Sequence, residues 1–327
     1  MRLSIIIATK NRAAFLRETF EALRSLEIPP GLDAVLSVID NASTDETAEV
    51  VRSARLPRLR VDYRCESTSG KCRALNHALA HTRGEMILFT DDDVRPPPDW
   101  IAGMTQPLID HGPCAVAGGV VIAPHLSRAW MTPLHRSWLA ATDWLDPQNP
   151  RGMVGANMAF SRDVLQRVPA FDVELGPGAL GFGDEQLFAY QLLEAGYRIV
   201  GRTAVKVEHH FEPGRLLRSS WLQAARKRGR AQAYCGHHWA HWTSRYVRPR
   251  RALAAARLAL YRLTHSANPD AEGCSERELT LEFQYALYCA HLRERQRPRN
   301  YSYRGLVSRA GAATSFAASP SFSSASR

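Results

Sequence analysis

The chain has 327 residues, of which 45% are hydrophobic and 23% charged, and its formal net charge is +10. This composition excludes a fibrous, collagen-like or wholly disordered chain, and the length allows one large α/β domain with an appendage or two smaller domains. Residues 215–262 contain twelve Lys or Arg and no Asp or Glu, which leaves 30 basic and 32 acidic residues elsewhere. Because the excess charge is confined to that segment, no nucleic-acid partner is expected for the protein as a whole.

The first hundred residues alternate between short apolar runs and helical patterns. The apolar runs are residues 3–8, 34–39, 59–63 and 86–89, and the helical patterns are residues 13–26, 44–54 and 74–81. Strands separated by helices of this length predict βαβ units and a mainly parallel sheet. Strands of such a sheet are buried on both faces, which explains a continuous run such as Ile5-Ile6-Ile7.

Beyond residue 100 the pattern is less regular. It predicts strands at 115–122, 154–160 and 199–207, helices from Trp100 and over 184–195, and an irregular segment at 124–152. Long Arg-rich helical patterns follow Pro213, and one of them covers residues 276–295. The sequence therefore predicts three parts: an α/β domain at 1–213, a basic helical region at 214–307 and a disordered tail at 308–327.

Polar residues follow three of the predicted strands. They are Thr9-Lys10-Asn11-Arg12, Asp40-Asn41 and Asp91-Asp92-Asp93. In an open α/β sheet the carboxyl ends of the strands line the ligand crevice, so these segments are expected to lie together. Three adjacent carboxylates repel one another unless they share a cation, and Mg²⁺ or Mn²⁺ prefers such oxygens. A solvated acidic turn explains the triplet alone equally well.

The order and spacing of these segments resemble those of family-two glycosyltransferases with the GT-A fold. The matching segments are residues 4–12 (SIIIATKNR), 38–45 (VIDNASTD), 90–93 (TDDD), 155–160 (GANMAF) and 183–185 (GDE). The resemblance covers roughly residues 1–213. It implies a Rossmann-like, mainly parallel sheet flanked by helices, followed by a helical C-terminal extension, and a nucleotide-sugar donor.

The resemblance also implies which residues bind the donor. The donor residues would be Ala8, Thr9, Arg12, Asp40, Lys71, Asp91 and Asp92, with Asp40 at the edge of the uracil ring and Lys71 at a phosphate. An Asx turn at Asp40 and a solvated Lys71 are the alternatives. Asn157 matches a position on the acceptor side.

The same family resemblance implies a divalent metal, Mg²⁺ or Mn²⁺, bound at the DxD motif. Asp91 and Asp93 occupy the outer positions of that motif, and Asp93 would ligate the metal directly. Asp91 would lie nearer the ribose or a metal-bound water. His209 is the expected further ligand, with His210 as the alternative; a histidine pair packed at a domain junction is a third interpretation.

The catalytic base is expected at the start of the predicted helix at 184–195. This too is what the resemblance implies, since members of the resembled family carry an acidic pair that opens a helix, with a Gly about eleven residues later. Counting back from Gly196 makes Glu185 the base and Asp184 its neighbour, whereas a register anchored on Leu187 makes Asp184 the base. A carboxylate at a helix N-terminus is held ionised by the helix dipole, as a base must be. Simple N-capping is the alternative explanation.

These assignments predict a metal-dependent, inverting glycosyltransferase that moves a sugar, expected from a UDP-sugar, to the hydroxyl of a glycan, a lipid-linked sugar or a small molecule. Processive polysaccharide synthases of the resembled family carry membrane-spanning helices and a Gln-x-x-Arg-Trp motif. Both are missing from this sequence, which favours non-processive transfer. A catalytically silent nucleotide-sugar-binding module is the second hypothesis, and a nucleic-acid binder using residues 215–262 is the third.

The basic segment at 215–262 interleaves arginines with aromatic residues. It is expected to form a helical cap on the catalytic domain, with contact to the acceptor or to a membrane surface as the next interpretations. The six cysteines form no CxxC pair. Their scatter predicts reduced thiols and a cytoplasmic location, with the inner face of a membrane as the alternative.

Overall fold

The computed structural model describes residues 1–265 and 268–309, so all but two residues of the predicted tail at 308–327 lie outside the described part. Its strands are β1 (Arg2–Thr9), β2 (Asp33–Asp40), β3 (Arg60–Cys65), β4 (Met86–Phe89), β5 (Val94–Arg95), β6 (Ala115–Ile122), β7 (Met158–Ser161) and β8 (Ile199–His209). Its helices are α1 (Ala13–Leu23), α2 (Thr47–Ser53), α3 (Lys71–His81), α4 (Trp100–Asp110), α5 (Pro133–Trp138), α6 (Asp184–Glu194), α7 (Arg218–His238), α8 (Val247–Thr264) and α9 (Glu276–Glu294).

The described strands form one sheet in the order β3-β2-β1-β4-β7-β6-β8-β5. Strands β1 to β4 pair in parallel, as do β6 and β8, whereas β7 runs antiparallel to both β4 and β6 and β5 runs antiparallel to β8. This arrangement confirms the predicted α/β architecture, with its Rossmann-like parallel half at β1 to β4.

The register of the parallel half brings the predicted polar segments to one edge. Thr9, the last residue of β1, pairs with Asp40, the last residue of β2. Phe89 ends β4 opposite Ile6, so the triplet that begins at Asp91 continues alongside the end of β1. The three polar segments therefore meet at the carboxyl ends of neighbouring strands.

Alternating residues of the central strands fill two apolar cores, one on each face of the sheet. Ile5 and Ile7 pack into the core that contains α1 and α4, and Ile6 packs with Phe89 into the core that contains α3 and α6. All three isoleucines are fully buried. Burial on both faces is the reason that these strands are continuously apolar.

Several local elements differ from the sequence-based expectation. The segment at 124–152, expected to be irregular, contains α5, which begins at Pro133 after a capping box formed by Thr132 and His135. The strand expected from residue 154 starts only at Met158, because a 3-10 turn at Gly155–Asn157 precedes it. The two-residue β5 follows the acidic triplet and was not predicted; it is too short to produce a period-2 pattern.

The C-terminal helices pack on the α/β part and on each other. Trp221, Leu222 and Leu279 share one apolar cluster with Ile122 and Phe211 of the α/β part. A second cluster joins Leu175 and Leu187 to residues of α7 and to the buried ring of Tyr301. Both clusters cross the boundary predicted at residue 213, so the helices cover the sheet-based part through apolar contacts.

Helices α7 and α9 approach closely where α7 has a glycine. A Cβ atom at Gly229 would lie 2.6 Å from the carbonyl oxygen of Phe283 and 2.9 Å from the amide nitrogen of Leu287. Buried glutamates of α9 also pair with arginines: Glu278 with Arg218, and Glu282 with Arg226 and Arg262. Part of the positive charge of residues 215–262 is therefore balanced inside the helical region.

None of the helices in the described residues is both long and apolar enough to cross a membrane.

Candidate functional site

A cleft of about 880 Å³ opens at the carboxyl ends of the parallel strands. One wall carries the strand-end residues, including Thr9, Arg12 and the triplet that begins at Asp91. The opposite wall is formed by the C-terminal helices, with Arg215 and Arg228 among its residues. The cleft is thus built by both the α/β part and the helical region.

Asp92, the middle residue of the triplet, points into the protein and holds the strand ends together. Its carboxylate accepts a 2.6 Å hydrogen bond from the Thr9 hydroxyl and pairs with Arg12 at 2.8 Å. Its backbone carbonyl accepts a bond from Thr19 in α1. Burial raises the pKa of Asp92 to about 7 despite the nearby Arg12 guanidinium. Asp92 is therefore placed to support its neighbours in the loop.

Asp93 and His209 face each other across the end of β8. The carbonyl oxygen of Leu139 lies 2.8 Å from His209 Nδ1 and can only accept, so Nδ1 carries the proton in that bond. In the neutral ring Nε2 then carries no hydrogen and presents a lone pair 3.4 Å from Asp93 Oδ1. Two such lone pairs are stabilised by a cation or a proton between them, and an oriented imidazole with an adjacent carboxylate is a typical metal donor pair.

Asp93 also pairs with Arg12 at 2.5 Å. Its burial favours the neutral acid, but the interaction with His209 and the charges of Arg12 and Arg215 outweigh it and lower the pKa of Asp93. His210 lies apart from this pair, because its Nε2 contacts Glu208 and its ring packs on His125. Geometry thus favours His209 over His210 as a ligand.

Over residues 1–265 and 268–309, no group of three His, Cys, Asp or Glu side chains is spaced to enclose a metal ion. Of the expected ligands, Asp93 and His209 lie side by side as two protein donors, whereas the partly exposed Asp91 pairs with Lys71. A divalent ion at such a site would complete its shell with water and phosphate oxygens, which is how Mg²⁺ is commonly bound with nucleotides. The residues present fit an ion that arrives with a phosphorylated ligand.

Lys71, at the start of α3, links the triplet to the helix that carries the expected base. Its ammonium lies 2.7 Å from Asp91 Oδ1 and 3.6 Å from Glu185 Oε1. Burial alone would lower the pKa of Lys71, but the charges of Asp91 and Glu185 raise it well above its usual value. Lys71 is therefore a buried, paired cation, which excludes the solvated-surface interpretation.

Asp184 and Glu185 open α6 after Gly183, whose φ of +91° is a left-handed conformation that favours glycine. Burial, with the charge of Glu185, raises the pKa of Asp184 well above its usual value. Burial also acts to raise the pKa of Glu185, but the attraction of Lys71 outweighs it and the pKa is lowered. Asp184 is thus held as the neutral acid and Glu185 as the carboxylate.

Asp40 is 2% exposed and both of its carboxylate oxygens are engaged. The amide of Ser43 donates to one oxygen at 2.8 Å and the Tyr63 hydroxyl donates to the other at 2.9 Å. The next residue, Asn41, lines the cleft and accepts a bond from the Gly70 amide. The bond from Gly70 to Asn41 fixes the loop before Lys71. The expected contact of Asp40 with uracil stays a prediction.

Asn157 does not line the cleft, so the structure gives no support to its expected acceptor-side role. Its side chain is fully buried, and its Oδ1 accepts a 2.8 Å bond from the indole of Trp100. Its Nδ2 donates to the carbonyl oxygens of Gly119 and Val205. These bonds hold the bulge between β6 and β8, so Asn157 is a structural residue.

The helical wall contains residues that sequence reasoning did not single out. Arg228 of α7 lies against the rings of Trp138 and Phe182, and Trp144 lines the cleft nearby. A sequence signal for Arg228 does exist. It falls three residues after Ala225 and three before Ala231, both buried, and so shares the inward face of the helix.

The sequence profile of "Glycosyl transferase family 2" matches residues 4–168, half of the chain. The chain belongs to glycosyl transferase family 2. The matched residues include β1, β2 and the acidic triplet, which form the first wall of the cleft. The helical wall lies outside the matched range.

Similar proteins with curated names include a β-monoglucosyldiacylglycerol synthase of Nostoc sp., 36% identical over 95 residues, which cover 28% of this chain and 20% of that protein. A glucosyl-dolichyl phosphate glucuronosyltransferase of Haloferax volcanii is 25% identical over 159 residues, covering 42% of this chain and 49% of that protein. The chain thus matches half or less of the length of these relatives.

Two solved structures show the same fold over most of the chain. A mannosyltransferase of Pyrobaculum calidifontis, in complex with GDP-Man and Mn²⁺, gives a TM-score of 0.60 at 21% identity, covering 90% of this chain and 87% of that one. Staphylococcus aureus TarS 1–349 in complex with UDP gives 0.50 at 15% identity, covering 90% and 92%. The GT-A fold is therefore confirmed.

Proposed function

We propose that the protein is an inverting, metal-dependent glycosyltransferase that moves a sugar from a nucleotide sugar to an acceptor hydroxyl. The observation that carries this proposal is the chain of contacts from Asp91 through Lys71 to Glu185 within one cleft. It joins the expected donor site to an ionised carboxylate on a helix N-terminus. Membership of the family supports the same activity.

Glu185 acts as the base. Its carboxylate accepts the proton of the acceptor hydroxyl while that oxygen attacks the anomeric carbon of the donor sugar and the diphosphate departs. A single displacement from the face opposite the leaving group inverts the anomeric centre. Asp184, held neutral beside it, keeps its proton and orients the start of α6.

Asp93 and His209 would hold the divalent ion, with Asp91 beside them. When bound, the ion supplies positive charge to the leaving diphosphate, so that the protein need not protonate it. Lys71 adds a fixed cation between the donor site and the base. Mn²⁺ accompanies the nucleotide sugar in the Pyrobaculum structure, which supports a divalent metal here.

The donor is proposed to be a UDP-sugar, bound by Ala8, Thr9, Arg12 and Asp92, with Asp40 at the uracil edge. UDP is bound in the TarS structure, whereas GDP-Man is bound in the Pyrobaculum enzyme, so a donor panel must contain both nucleotides. Transfer of single sugar units, without processive polymerisation, is proposed because the cleft is bounded by helices of this chain on its far side.

A peripheral membrane contact is proposed for α8, on a specific observation. Leu260 and Leu263 are 63% and 84% exposed on this helix. Exposed arginines such as Arg250 and Arg257 lie on the same element. Exposed leucines beside arginines fit an anionic lipid surface. Within residues 215–262 the lipid-facing charge is therefore assigned to α8, whereas Arg215 and Arg228 face the cleft.

The experiment that tests the proposed function measures nucleoside diphosphate release from a panel of UDP-sugars and GDP-mannose, with Mn²⁺ or with a chelator. Release that requires Mn²⁺ supports the proposal. Tight nucleotide binding without release from any donor contradicts it and supports the silent binding module instead. Salt-dependent binding of DNA or RNA at low ionic strength would support the nucleic-acid hypothesis.

A further inference from the structure

The helical wall of the cleft contains an arginine that has no anionic partner. The guanidinium of Arg228 lies 4.1 Å from the ring centroid of Phe182 and 5.0 Å from that of Trp138. One terminal nitrogen donates to the carbonyl oxygen of Trp138 at 3.2 Å, and the buried Nε has no hydrogen-bond partner. The aromatic rings therefore hold a charged group whose hydrogen-bonding capacity is mostly unused.

Two cations of the opposite wall differ from Arg228 in this respect. Arg12 pairs with Asp92 and Asp93, and Lys71 pairs with Asp91. Among the ion pairs of the described residues, none includes Arg228. A guanidinium in a cleft without a paired anion is unfavourable unless a ligand brings the missing negative charge.

The packing of Arg228 places it on the side of the cleft where α6 begins. Phe182, which stacks on Arg228, immediately precedes the turn into α6. Burial and the charge of Arg215 lower the pKa of Arg228 to about 9, and the charge of Glu185 at the start of α6 opposes both. The carboxylates that act on Arg215 are instead Asp93, Asp91 and Glu212. Arg228 is therefore associated with the base side of the cleft and Arg215 with the donor side.

Further aromatic side chains line the same cleft. Trp144, Tyr190 and Trp242 are 48%, 40% and 42% exposed, and all of them line the cleft. Tyr190 also stacks on Trp239 with ring centroids 5.6 Å apart. Exposed rings of this kind provide flat apolar surfaces for the body of a ligand.

We propose that Arg228 is a binding residue for a phosphate group carried by the acceptor, and that the surrounding rings pack against the remainder of the acceptor. This inference rests on the proposed function, because it names the acceptor class of the same site. A phosphate brings both the negative charge that Arg228 lacks and several acceptor oxygens for its unused N–H donors. With the faces of its guanidinium packed on Phe182 and Trp138, Arg228 offers its edge for paired hydrogen bonds.

Calorimetric titration of the full chain with phenyl phosphate, in the presence of saturating UDP and Mn²⁺, tests this proposal. We expect Arg228→Leu to weaken phenyl phosphate binding by about tenfold or more, since charge-assisted hydrogen bonds are lost. Arg228→Lys keeps the charge without the flat edge and should give an intermediate affinity. The matched control is Arg230→Leu, an exposed arginine of the same helix outside the cleft, which should bind as the wild type does.

The affinity for UDP is measured on the same variants and separates this proposal from the proposed function. It should change by less than about threefold in Arg228→Leu, because the donor lies on the opposite wall. A wild-type chain that does not bind UDP contradicts the proposed function. A parallel loss of UDP and phenyl phosphate affinity in Arg228→Leu contradicts the acceptor assignment, because it places Arg228 at the donor.

Vesicles of phosphatidylcholine with and without phosphatidic acid distinguish a lipid phosphate from a soluble one. If Arg228→Leu weakens binding of phenyl phosphate, a soluble phosphorylated acceptor is supported. If it weakens binding to vesicles that contain phosphatidic acid, a lipid phosphate is supported. If Arg228→Leu changes the affinity for neither, the proposal is overturned.

Discussion

The two walls of the cleft differ in how their charges are balanced. On the strand-end wall the buried and half-buried charges are paired within the protein, as Arg12 with Asp93 and Lys71 with Asp91 show. On the helical wall Arg228 has aromatic neighbours and no carboxylate among the described residues. The strand-end wall is therefore organised before a ligand binds, whereas the helical wall depends on its ligand for charge balance.

The two walls also come from different parts of the chain. The strand-end wall is built from strand ends, whose positions follow from the sheet register. Glu185 of α6 and Arg228 of α7 lie outside the segment that the family profile matches. Under the proposed function, the donor-binding residues therefore lie within that segment, whereas the base and the acceptor-binding arginine lie beyond it.

The largest expected effect belongs to the two acidic residues at the start of α6. Glu185→Gln removes the ionised base, so we expect nucleoside diphosphate release to fall by about 10²- to 10⁴-fold. Asp184→Asn should change it by less than about tenfold, because an amide resembles the neutral acid that the raised pKa of Asp184 indicates. Turnover is measured at saturating donor. The reverse ranking of the two variants would make Asp184 the base.

A smaller effect is expected where the helical wall is held together. Gly229→Ala would place a Cβ atom 2.6 Å from the carbonyl oxygen of Phe283, so α7 and α9 must separate. We expect the free energy of unfolding to drop by about 1–3 kcal/mol, as is typical of overpacking. Urea denaturation measures it.

Gly214→Ala is the matched control, because a Cβ atom there meets nothing within 4 Å. Its unfolding free energy should stay within about 0.5 kcal/mol of wild type. Equal stability of the two variants would show that α7 and α9 do not require the close approach at Gly229.

The smallest expected effect concerns α8. Replacing Leu260 and Leu263 by serine removes exposed apolar area without changing charge, so binding to anionic vesicles should weaken by about threefold to tenfold. Vesicle co-sedimentation measures it. Ile109→Ser, at an exposed position of α4, should leave vesicle binding unchanged. Equal binding of all three proteins would show that α8 is not the membrane-facing helix.

Much of the strand-end wall could be predicted from the sequence for a physical reason. Buried parallel strands are continuous apolar runs, so the residues that follow them, such as Thr9 and Asp91, are placed at one edge by the topology alone. The protonation states of Asp184 and Glu185 could not be predicted, because they depend on burial and on Lys71, which is distant in sequence.

Asn157 and Arg228 show where reasoning from the sequence fails. Asn157 belongs to a motif that the resemblance placed on the acceptor side, but its amide bonds with Trp100 and two backbone carbonyls, which no local pattern reveals. The spacing of buried residues on α7 indicates that Arg228 faces inward, but its contacts with Phe182 and Trp138 arise between segments that are distant in sequence. Long-range contacts decide both cases.

The most direct test of the central claim compares Mn²⁺-dependent nucleoside diphosphate release by wild type and Asp93→Ala, with Asp110→Ala on α4 as the control. Asp93 is buried beside His209, whereas Asp110 is exposed at the end of its helix. We predict that Asp93→Ala lowers release by roughly 1,000-fold, to the level of wild type in chelator, and that Asp110→Ala has no effect. Full turnover by Asp93→Ala in the presence of chelator would contradict the metal-dependent mechanism.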